Sequence, residues 1–84
     1  MRRLILKRLT GANACHLGVA RKIVRRIVGA QNQKECLLID CEGVEVSPQF
    51  LFALLAVASE EKVRFCGLPP NQQRLVALSM EKKP

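Results

Sequence analysis

Apolar and polar positions alternate along the chain in patterns that predict its elements. Leu4 to Leu9 reads as a short strand, broken by Thr10-Gly11-Ala12-Asn13, with Asn13 placed to cap a helix. Leu17, Ala20, Val24 and Ile27 then recur at helical spacing, and Ile23 and Val28 widen the stripe. Arg21, Lys22, Arg25 and Arg26 fill the opposite face, and Gly29 is placed to end the helix. After the polar connection Asn32-Gln33-Lys34, the run Cys36-Leu37-Leu38-Ile39 has the pattern of a strand buried on both faces, as at the centre of a parallel sheet.

Asp40 closes that strand, and Cys41 to Ser47 reads as a loop or a short continuation. Ser47-Pro48 is a helix start, because Ser caps well and Pro suits the first helical position. The helix it opens is expected to run to about Ser59. From Phe50 to Ala58 it is apolar all the way round, where a surface helix should show a polar side. Either it is deeply buried or a partner covers it. Val63-Arg64-Phe65-Cys66 predicts a third strand, Gly67-Leu68-Pro69-Pro70 a turn, and Asn71 to Lys82 a last helix with Leu75, Leu78 and Ala77 turned inward. The order is β-α-β-α-β-α. It implies one α/β domain over residues 1–84, with a mainly parallel sheet of three to four strands and helices packed on it.

Length limits what such a domain can do. A chain of 84 residues buries one modest core, and an enclosed active site with its own supporting shell has little room. That favours a binding module over an enzyme, and a dimer would add stability. Hydrophobic residues make up 49% of the chain, enough for a core. The opening Met1 to Arg8 has too short an apolar stretch for a signal peptide. The longest apolar run, Phe50 to Ala58, is half of what a membrane span needs. Cys15, Cys36, Cys41 and Cys66 form no C-x-x-C pair, so they read as free thiols of a cytoplasmic protein. No metal, cofactor or catalytic motif is expected, and His16 beside Cys15 lacks metal-ligand spacing.

Charge adds a second functional reading. Residues 1–34 carry nine Lys/Arg and no acid, whereas residues 35–84 carry five Lys/Arg against seven acids. The row Arg21, Lys22, Arg25 and Arg26 suits a nucleic-acid backbone, an anionic surface or an acidic partner. It equally suits the solvated side of an amphipathic helix. Three Phe and no Trp or Tyr make a poor stacking platform for single strands.

The carboxyl edge of the sheet is expected to gather Asp40, Glu42, Gly43, Glu45 and Ser47, together with Gly67 and Asn13. The stretch Leu37-Leu38-Ile39-Asp40-Cys41-Glu42-Gly43-Val44-Glu45-Val46-Ser47-Pro48-Gln49-Phe50 resembles the central strand, loop and helix of STAS domains, which occur in anti-sigma factor antagonists and sulfate-transporter tails. The spacing is similar to a short STAS-like branch. Phe65 to Pro70, followed by Arg74 to Leu78, resembles the family's last strand, turn and helix, so the likeness covers about residues 36–80. It implies a regulatory module that docks on another protein or on a second copy of itself. Asp40 falls on the family's strand-end Asp, and Gln49 on the hydroxyl that a partner kinase phosphorylates. Gln takes no phosphate, so the resemblance implies a module without that switch. Ser47, the nearest hydroxyl, already serves as a helix cap. The residues expected to meet a partner are Asp40, Glu42, Glu45, Ser47, Gln49 and Phe52.

Overall fold

A computed structural model describes residues 2–58 and 62–81. Its centre is the apolar run after residue 36. The strand β3 (Leu37–Asp40) lies between β1 (Arg2–Ile5) and β5 (Val63–Cys66), and both pairings are parallel. The register sets Leu4 beside Ile39 beside Phe65, and Ile5 beside Asp40 beside Cys66. The β5 bounds match the sequence expectation, and β3 is displaced from it by one residue.

The two crossovers carry α2 (Leu17–Asn32) and α3 (Pro48–Leu55). The strands stand in chain order across the sheet. Right-handed crossovers that step in one direction deposit their helices on one face. Accordingly α2 and α3 pack against each other over Leu4, Leu37, Ile39 and Val63, burying Ile23 and Ile27 from α2 and Phe50, Leu51, Leu54 and Leu55 from α3. The opposite face alternates with this one. It presents Arg3 and Arg64, both exposed, around the half-buried Leu38. The central strand is therefore sealed on one side only, not on both as its apolar run suggested.

The first segment departs from expectation. Leu4 to Leu9 is not one strand, because after Ile5 the chain turns into a short helix, α1 (Leu6–Thr10). The turn drives Leu6 into the core and leaves Leu9 at the surface. The Thr10 hydroxyl donates to the Leu6 carbonyl at 3.1 Å, and Gly11, at φ +71°, closes the turn by donating its N–H to the Lys7 carbonyl. Asn13 does not cap a helix. It lies in β2 (Asn13–Ala14), which pairs in parallel with β4 (Glu45–Val46), while His16 precedes α2 with no side-chain cap.

Gly29 does not end α2. The helix continues one turn further and stops in a Schellman closure, with Lys34 left-handed at φ 58°. There Glu35 donates its N–H to the Ala30 carbonyl and Lys34 to the Gln31 carbonyl. At the end of α3 the winding tightens, with Val57 N–H on the Leu54 carbonyl, and the regular helix stops at Leu55. The last helix, α4 (Pro70–Glu81), is rotated relative to the expected stripe. Val76 packs on the core and Gln72 is buried; of the residues expected inward Leu75 is half-buried, whereas Ala77 is exposed and Leu78 is 47% exposed. Ser59 and Lys82, the expected helix ends, lie outside the described residues.

Candidate interaction site

The residues singled out from sequence fall into two regions, the carboxyl edge of the sheet and the outer surface of α2 and α3. At the edge, Asp40 is buried, with 6% of its surface exposed. Its carboxylate accepts from the Arg3 guanidinium across the sheet and from the Glu42 backbone N–H at 3.0 Å. The second contact is an Asx-type turn that bends the chain out of β3. These bonds, the Arg3 one foremost, hold the Asp40 carboxyl below its ordinary range and raise the guanidinium. Asp40 thus fastens the loop, and Glu42 and Glu45 are the acids that face solvent.

Two glycines shape the loop. Gly67 sits at φ +79°, and a side chain there would come within 2.8 Å of the Glu42 Cα and 3.0 Å of the Cys41 carbonyl carbon. The turn after β5 therefore crosses the loop after β3 backbone to backbone. Gly43, at φ +75°, lies under the Lys7 ammonium. The β2–β4 pair ties the loop down further. Glu45 N–H donates to the Ala12 carbonyl at 2.8 Å, and Ser47 N–H to the Ala14 carbonyl at 2.9 Å. Gln72, which sequence reasoning passed over, reaches in from α4 and donates its amide to the Val46 carbonyl at 2.6 Å, while its own carbonyl oxygen is buried without a partner among the described residues. The signal was there: Gln72 lies one turn before Val76, on the same helical ridge.

A strand order that never reverses leaves no crevice between helices on opposite faces. Burial first, and the neighbouring negative charges second, push the Cys41 thiol up to about 12; burial also raises Cys66. Neither is an activated thiolate. Among the described residues, no three His, Cys, Asp or Glu side chains are placed to hold a metal ion. A cavity of about 450 Å³ at the other end of the sheet meets Arg2, Arg3 and Arg26. Arg2 is paired with Glu35 and Arg3 with Asp40.

On the helices, Ser47 caps α3 as expected, its hydroxyl accepting from the Phe50 N–H at 3.2 Å, with Pro48 in the first turn. Gln49 and Phe52 follow on the exposed side, Phe52 with half its surface in solvent. Arg21, Lys22, Arg25 and Arg26 are all exposed on α2, and none pairs with an acid among the described residues. Leu17, at the start of α2, is 54% exposed. The chain matches no family model, no curated protein and no solved structure. No helix among the described residues is long and apolar enough to cross a membrane.

Proposed function

We propose that this chain is a non-enzymatic regulatory module of STAS type, working in the cytoplasm by docking on another protein or on a second copy of itself. The observation that carries the reading is Phe52. On a helix whose other large apolar residues, Phe50, Leu51, Leu54 and Leu55, are buried, it is the large apolar side chain turned to solvent. It stands one helical turn from the capped start, beside Gln49 and after the acidic loop of Glu42 and Glu45. Exposed aromatic surface next to a rigidly fastened loop is the composition of an interaction site. Gln49 in place of a hydroxyl, and Ser47 engaged as a cap, support docking without a phosphate switch.

Light scattering of the native chain and of Phe52→Glu, with affinity capture by both, tests the reading. The expected result is a dimer or a captured protein that is lost in the variant. A monomer that captures nothing would overturn it.

A second reading rests on the exposed row Arg21, Lys22, Arg25 and Arg26, which pairs with no acid among the described residues and supports a nucleic-acid binder. Phosphate-directed binding falls steeply with salt. A gel-shift series with DNA and RNA that shows no complex even at low salt removes this alternative.

A further inference from the structure

We infer that the groove between α2 and α3 receives an acidic amphipathic helix of a partner protein; the inference rests on the interaction-module reading and names the partner's chemistry. The groove has a volume of about 400 Å³ and is lined by Leu17, Ala20, Arg21, Val24, Arg25 and Ala53. Its floor is low because Ala20 and Ala53 are small. Leu17, Val24 and Val28 form an apolar ridge along α2, the first and last of them exposed. On α3, Gln49 lies one turn before Ala53 and continues the facing ridge. Both helices connect parallel strands in the same sense, so the ridges run side by side. Two such ridges with a shallow apolar floor between them seat a third helix through anchors spaced one turn apart.

Charge selects the occupant. Helix α2 carries four cations and no acid, and α3 carries no charge at all. Arg21 and Arg25 both line the groove and are both exposed, as long side chains with an apolar stem and a charged head can be. Carboxylates on the flanks of the incoming helix meet those heads. Among the described residues the chain offers no such helix of its own. Helix α2 would repel its own copy across a two-fold axis, α3 is uncharged, and α4 combines Arg74 with the single acid Glu81. A nucleic acid would leave the apolar floor unused.

The probe is a synthetic amphipathic peptide of about 18 residues, Leu on one face and Glu on its flanks, titrated into the labelled protein and followed by backbone NMR. Its Gln-for-Glu counterpart is the control. Saturable shifts at Leu17 to Arg25 and at Gln49 to Ala53 are expected, with affinity falling about tenfold in the Arg21→Glu/Arg25→Glu variant and in the control peptide. Both substitutions are at exposed sites, and an unchanged fingerprint spectrum confirms the fold. Leu17→Glu, which removes an apolar anchor and keeps both arginines, is expected to weaken binding as well.

The absence of saturable binding would overturn the inference, as would shifts elsewhere, equal affinity for the charge-reversed variant, or the same shifts produced by RNA or DNA alone. A natural partner lost by Phe52→Glu but retained by Arg21→Glu/Arg25→Glu also removes this occupant, while leaving the interaction reading intact. If neither peptide nor protein binds, both fall.

Discussion

At Gly67 the backbone of Glu42 occupies the space where a side chain would stand, and φ is +79°. Gly67→Ala meets two obstacles at once, a left-handed conformation and a collision with backbone that cannot swing aside. The expected loss is about 2–5 kcal/mol, read from urea unfolding. Asp40 makes a different contribution. Its carboxyl is lowered in the folded state, so the ionised form contributes stability above the ordinary value of 3.8 and loses it as the pH falls through the depressed folded value. In thermal melts, Asp40→Asn is expected to lower Tm near neutral pH, and the difference from the native chain should shrink below that ordinary value. A gap independent of pH would mean that the charge of Asp40 is not what matters. The thiols divide in the same physical way. Cys41, buried and pushed up to about 12, should resist alkylation until the protein unfolds, whereas the exposed Cys15 should label in the native state. Of these residue-scale features, the sequence made Asp40 visible but not its direction. An acid at a strand end reads as a solvent-facing group, and only Arg3, brought alongside by strand pairing, turns it into a fastener.

At the scale of the element, local chemistry was most legible where it is self-contained. The cap and first turn of α3 depend on Ser47, Pro48 and the N–H of Phe50, all within a few residues. Ser47→Ala is therefore expected to cost about 1 kcal/mol by chemical denaturation, without altering the spectrum of the folded state. Elements set by distant contacts were misread. The apolar pattern of Leu4 to Leu9 does not distinguish a strand from a strand followed by a helical turn. The choice falls to the turn because it buries Leu6 completely and lets Asn13-Ala14 pair with Glu45-Val46. Gly29 looked like a stop, yet nothing lies within contact of a side chain built there and α2 runs on until Lys34 takes the left-handed position. In α4 the phase was misjudged because an amide, Gln72, takes an inward position by donating to the Val46 carbonyl, and no hydrophobic count credits that.

For the molecule as a whole, the strand order decides which surfaces are free. With both crossover helices on one face, Ile39 is enclosed and its neighbour Leu38 is only half covered. Ile39→Ala is expected to cost about 2–5 kcal/mol and Leu38→Ala clearly less, both measured by equilibrium unfolding; equal costs would mean that the second face is covered in solution. The sequence by itself determined the α/β class, the limits of β5, the start of α3 and the concentration of positive charge on α2, since each depends on residue type and near-neighbour spacing. The tertiary structure alone decided which face of the sheet stays open, that Asp40 is withdrawn while Glu42 and Glu45 face solvent, and that Leu17, Val24 and Ala53 line one groove with Arg21 and Arg25. These outcomes follow from strand order and crossover hand, which act between segments tens of residues apart and leave no trace in local periodicity.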